Sequence, residues 1–145
     1  MSNLQVGYWV GQEQYDPNTL LDFARHAEIV GFDIICSSDH FHPWRDSNAH
    51  SGFPWVWLSV LASQTTNTEV GTAVTTPLLR YHPAIVAQAF ATLDYMFPGR
   101  VFITIGTGHK MNETPLGFEW PGFKEKIKKV VFIRIKAKYC ILIKK

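Results

Sequence analysis

Residues 37–44 read SSDHFHPW, an aspartate followed by two histidines one residue apart and a tryptophan. Three kinds of chemistry are open to such a stretch. His40 and His42 could share a metal ion, as two imidazoles ending a strand can when carboxylates elsewhere complete the set. They could serve as acid and base, since imidazole titrates near neutrality. They could also be packed turn residues. Against the metal, successive strand side chains alternate in direction, and no other His/Asp/Glu cluster in the sequence has ligand spacing. Catalytic or cofactor contact is therefore the favoured reading.

Other reactive groups recur along the chain: Glu13-Gln14, then Thr75-Thr76-Pro77 followed by RYHP with Arg80 and His82, then GTGHKMNE with His109, Asn112 and Glu113. The glycines flanking Thr107 read most plainly as a tight turn. They would also let backbone approach a flat ring or a phosphate with no side chain in the way. Trp44 can pack under its loop or face a ring ligand.

These groups acquire a common address once the elements between them are read. LQVGYW (4–9), FDIICS (32–37), EVGTAVTT (69–76) and VFITIG (101–106) are apolar runs of strand length. Between them lie three helical stretches. The first has Asp16 as N-cap, Pro17 at its first position and Gly31 as its stop. The second spans 54–66. The third spans 82–97, with Pro83 at its start and Pro98-Gly99 at its end, and a fourth helix is expected near Phe123. The order is βαβαβαβα with continuous apolar strands, the pattern of a parallel sheet. An open doubly wound sheet and part of a TIM barrel both fit. The first loop, VGQEQYDP, lacks G-x-G-x-x-G, which counts against dinucleotide binding. In either architecture ligands bind at the carboxyl ends of the strands. Five of the six histidines fall at that end, and His26, on the first helix, is read as a surface residue.

Composition sets the outer bounds. The chain has 145 residues, 46% apolar and 18% charged, enough for one ordinary domain. No apolar run approaches a membrane span, and the N-terminus lacks a secretory pattern. Cys36 and Cys140 stand alone, as expected in a reducing cytoplasm. The net charge of +2 hides a division at residue 124: residues 1–123 carry 5 Lys/Arg and 11 Asp/Glu, whereas 124–145 carry 9 and 1. The basic tail lacks aromatic-basic interleaving, so neither nucleic acid nor membrane is an expected partner.

The motifs SDHFHPW, GTAVTTPLLRYHPAIVAQAFATLDYMFPGRVFITIGTG and NE, in this order, resemble the bacterial luciferase-like family of TIM-barrel oxidoreductases. Within it they look most like the coenzyme F420-dependent branch, of the glucose-6-phosphate dehydrogenase and secondary alcohol dehydrogenase types. The similarity runs from about residue 4 to about residue 125. It implies the following roles. Asp39 corresponds to a cofactor-contacting aspartate, and His40 to the histidine that takes the substrate hydroxyl proton. Trp44 corresponds to a substrate-positioning tryptophan, and Glu13 to an active-site carboxylate. Ala73-Val74 falls on a strand-three bulge with a cis peptide behind the deazaflavin ring. Thr76, Thr107, Gly108 and Asn112 fall at cofactor positions. His109 stands where the family pattern G-x-G-Glu-x-x-Asn-Glu has the glutamate that protonates the ring.

The expected fold class is therefore α/β, with parallel βα repeats forming the N-terminal half of a TIM (β/α)8 barrel over residues 1–123, followed by a Lys/Ile-rich tail over 124–145. A full barrel takes about 250 residues, so the chain reads as a truncated form. The expected function is cytoplasmic hydride transfer from an alcohol or sugar-phosphate substrate to F420, with FMN as the alternative cofactor. Homo-oligomerisation or association through the open barrel edge accompanies it. Two alternatives stand beside it: an inactive, association-dependent fragment, and a metal-dependent hydrolase using His40 and His42.

Overall fold

In the computed structural model, residues 4–128 are described. The elements run β1 (Gly7–Val10), α1 (Pro17–Ile29), β2 (Ile34–Ser37), α2 (Pro54–Gln64), β3 (Glu69–Thr75), α3 (Pro83–Met96), β4 (Val101–Ile105) and α4 (Lys110–Glu113). A 3-10 turn at Thr114–Leu116 follows α4, and residues 123–128 are helical. The strands pair in parallel in the order β1-β2-β3-β4. Consecutive parallel strands joined by right-length helical crossovers make half of an eight-stranded (β/α) barrel.

Local chemistry fixes the helix starts. The Asp16 carboxylate accepts from the N–H groups of Asn18 and Thr19 at 3.0 and 3.1 Å, ahead of Pro17. His82 does the same for α3, its Nδ1 accepting from Ala84 N–H at 3.2 Å. Both caps satisfy donors that the first helical turn leaves unpaired. Gly31 closes the first unit at φ +97°, a conformation open to glycine.

The inner faces of α1 and α2 meet the sheet in one core. Leu20, Ala24 and Ala27 from α1 join Leu58, Leu61 and Ala62 from α2 over Val10, Ile35 and Val70. Burying each large aliphatic side chain contributes about 1.5–3 kcal/mol. A second cluster, Trp55, Val86 and Phe90, seats α3 against β4. At the amino end of the sheet, Glu28 Oε1 accepts from the N–H groups of Thr66, Asn67 and Thr68 at 2.8–3.0 Å. There Arg100 also donates to the carbonyls of Ala62, Thr65 and Thr68. That end is devoted to stability, as in barrels generally.

Two details differ from the expected boundaries. The first two strands begin later than 4 and 32, because the Asp33 carboxylate accepts from Val6 N–H at 2.8 Å and ends the ladder there. The short α4 and its 3-10 turn precede the helix expected near Phe123, whose residues 123–128 are helical. Of the expected tail only 124–128 are described; Cys140 lies outside the described residues. Among the described residues no helix is long and apolar enough to cross a membrane.

Candidate active site

The carboxyl ends of β2, β3 and β4 open into a cavity of about 740 Å³, within the range of small-molecule sites. Every site residue expected from the sequence lines it except Glu13, and Gly106 and Met111 are added to them. Parallel pairing is the reason: each strand delivers its following loop to the same rim.

The floor is backbone. Pairing of β3 with β4 shifts register between Thr72 and Thr75, and the Ala73–Val74 peptide within the shift is cis. Val74 is 44% exposed toward the cavity. Beside it, Gly106 and Gly108 contribute no side chain. Gly108 sits at φ +84°, and a Cβ there would lie 2.9 Å from Thr76 Cγ2. A non-glycine residue is thus excluded by conformation and by space. His109 is exposed at the end of this floor, at the N-terminus of α4.

His40 also lines the cavity, with its Nδ1 2.8 Å from Glu13 Oε1 and 2.7 Å from Trp44 Nε1. Glu13 lies beneath the cavity wall and is 6% exposed. Its other oxygen accepts from the Ser38 hydroxyl at 3.0 Å. Burial alone would raise the Glu13 carboxyl; His40, the Glu13 backbone N–H and Ser38 together outweigh it and hold the group below its usual range.

Behind the cavity a buried polar network joins three loops. Arg80 Nη2 donates to Asp39 Oδ1 at 2.9 Å and to the Asp39 carbonyl at 2.6 Å. The Tyr81 hydroxyl donates to the same Oδ1 at 2.9 Å, and Thr75 to Oδ2 at 2.7 Å. The two charged side chains are 5% and 0% exposed. Glu113 Oε2 accepts from Arg80 N–H at 3.2 Å. Its Oε1 lies 3.7 Å from Arg80 Nε, too far for a hydrogen bond, and neither atom has another partner. Burial pushes the Glu113 carboxyl up, with Arg80 only partly opposing it. Burial and then the charge of Asp39 likewise push the Tyr81 phenol up. Asn112 completes the framework, its Oδ1 accepting from the N–H groups of Phe41 and His42 at 3.1 and 3.2 Å.

The two histidines of the opening motif thus part company. His42 Nδ1 lies 2.7 Å from its neighbour's carbonyl, Pro43 O, and among the described residues no group of three His, Cys, Asp or Glu could hold a metal. His82 is a helix cap, and His26 is exposed on α1. Thr75, Arg80 and Glu113 were expected at this rim, but their joining with Asp39 in one buried network was not, nor were the parts of Tyr81 and Ser38. An arginine within the apolar run TTPLLRYHP was the available signal, because buried arginine demands a buried partner.

A flat polycyclic ligand fits what is present. The Ala73–Val74 segment and the Gly106–Gly108 loop line the cavity, and His40 and His109 are both among its lining residues. Ala73-Val74, Thr76 and the Gly106–Gly108 loop would hold the ring, with His40 and His109 flanking it.

The sequence model of the family described as luciferase-like monooxygenase matches residues 2–128. The chain is 44% identical over 124 residues to an F420-dependent glucose-6-phosphate dehydrogenase of Segniliparus rotundus, covering 85% of this chain and 37% of that one. A protein of the same description from Microbacterium testaceum is 45% identical over 127 residues, covering 88% and 38%. Among solved structures, an F420-dependent secondary alcohol dehydrogenase in complex with an F420-acetone adduct superposes with TM-score 0.88 at 44% identity. The match covers 92% of this chain and 40% of that one. The coenzyme F420-dependent tetrahydromethanopterin reductase of Methanopyrus kandleri superposes at 0.70 with 25% identity, covering 83% and 32%. The chain therefore spans well under half the length of the relatives it matches.

Proposed function

The chain belongs to the luciferase-like monooxygenase family, and from that premise we propose that it forms the F420-binding part of an oxidoreductase acting on an alcohol or sugar phosphate. One observation carries the reading: a titratable His40, backed by a buried carboxylate, faces a backbone-floored cavity in a chain 44% identical to F420-dependent dehydrogenases. Bound deazaflavin supplies the acceptor for a hydride. The residues supply everything else. His40 Nε2 takes the hydroxyl proton of the substrate while Glu13 orients the ring through Nδ1. Trp44, 60% exposed at the rim, covers the substrate side. His109, in place of a glutamate, donates a hydrogen bond at the far end of the floor. Asp39 holds the rim in shape through Arg80 and Tyr81, its carboxylate accepting from them and from Thr75.

In this reading the protein works in the cytoplasm and associates through the outer strands β1 and β4, each paired on one side among the described residues. The test is a titration of the purified chain with F420, FMN and zinc, followed by addition of glucose 6-phosphate or a secondary alcohol. Saturable F420 binding, and loss of the oxidised deazaflavin absorbance when substrate is added, are the expected results. Binding without turnover would assign the remaining substrate contacts to the rest of a barrel. Zinc binding that His42→Ala removes, with no response to either flavin-type cofactor, would overturn the proposal.

A further inference from the structure

The two contacts at His40 Nδ1 are chemically incompatible. The atom lies 2.7 Å from the indole Nε1 of Trp44, which is a donor only, and 2.8 Å from Glu13 Oε1, which as a carboxylate is an acceptor only. One ring nitrogen offers either a proton or a lone pair in that direction, never both. When Nδ1 accepts from Trp44, the buried Glu13 Oε1 is left with no hydrogen-bond partner, which is unfavourable for a buried carboxylate oxygen. When Nδ1–H donates to Glu13, the indole N–H must turn away. Glu13 is pinned by Ser38 and buried, whereas Trp44 is 60% exposed. Trp44 is therefore the partner that moves. The other charges nearby do not intrude, because Asp39 and Arg80 are bonded to each other.

We propose that Trp44 and Glu13 compete for His40 Nδ1, so that the position of the Trp44 indole decides which ring nitrogen of neutral His40 carries the proton. With Trp44 turned inward, Nδ1 is the acceptor and the proton sits on Nε2, making His40 a donor toward the cavity. With Trp44 turned out, the proton sits on Nδ1 against Glu13, and the Nε2 lone pair is available as a base. The exchange breaks one N–H bond and makes the other through solvent water; the proton count of the ring is unchanged. Trp44 is in this sense a positioning residue, acting through His40. The consequence for alcohol oxidation rests on the proposed function, but the proton placement does not.

The experiment separates the two. The full chain, labelled with 15N-histidine and free of cofactor, is studied by NMR above the histidine titration range, with His40 assigned by the loss of its signals in His40→Gln. Trp44→Phe, at an exposed site, is expected to shift the His40 ring toward the Nδ1–H tautomer. Glu13→Ala is expected to shift it toward Nε2–H. The same tautomer balance in wild type and in Trp44→Phe would overturn the inference, whatever Glu13→Ala does to folding and whether or not F420 binds.

Discussion

At the scale of single residues, burial decides which side chains can act and which can only support. His40 faces the cavity while its carboxylate partner does not. In a preparation that turns over, His40→Gln should lower kcat by ~10²–10⁴-fold, the usual contribution of a general base, with F420 affinity unchanged; stopped-flow and binding titrations measure the two separately. Arg80 is the opposite case, a charge that touches no cavity and holds two carboxylates. Arg80→Met leaves Asp39 and Glu113 buried without a counter-charge and should cost ~3–5 kcal/mol, read from urea unfolding. Sequence made His40, Trp44 and the glycine loop legible because their types are unusual on a strand rim. It concealed how Arg80, Tyr81 and Glu113 pair with one another and with Asp39, since the partners of a buried ion pair come from loops more than thirty positions apart and only the fold brings them together.

Among the elements, glycines set how closely backbone can approach backbone. A side chain at Gly71 of β3 would overlap the Phe102 carbonyl and ring of β4. Gly71→Ala should therefore destabilise by ~1–3 kcal/mol or more through overpacking, seen as a lowered melting temperature. Gly122→Ala, with nothing within 4 Å of the added atom, is the control that should leave it nearly unchanged. Strand order and helix starts were readable beforehand because apolar periodicity, the Asp16-Pro17 cap and Pro83 are local signals. The late starts of β1 and β2 were not, because the carboxylate that ends their ladder, Asp33, acts on Val6 across the sheet. Nor was α4, whose four residues are too few to show a helical period.

For the molecule as a whole, two opposing linkages shape the dependence of stability on pH. Glu13 and Glu28 are held below their usual values in the folded state. Their contribution is present above the ordinary value of 4.5 and lost as pH falls through the folded one. Glu113 is raised, so its contribution is present below 4.5 and lost as pH rises through its folded value. Glu113→Gln should remove the second decline and leave the first, as thermal melts across the acid range will register. The outer strands and the exposed Trp9, Val74 and Ile105 also predict that a polypeptide of these 145 residues self-associates. Sedimentation that remains monomeric over a wide concentration range would refute that.

The network around Asp39 has one more effect. It fastens the loops after β2, β3 and β4 to one another through buried side chains. Those loops cannot be exchanged one at a time: a graft of any single rim segment from another barrel would strand a buried charge. Variation in what the rim recognises is thus confined to residues outside the knot, such as Trp44, Met111 and His109, and those are the positions at which a library aimed at new substrates should begin.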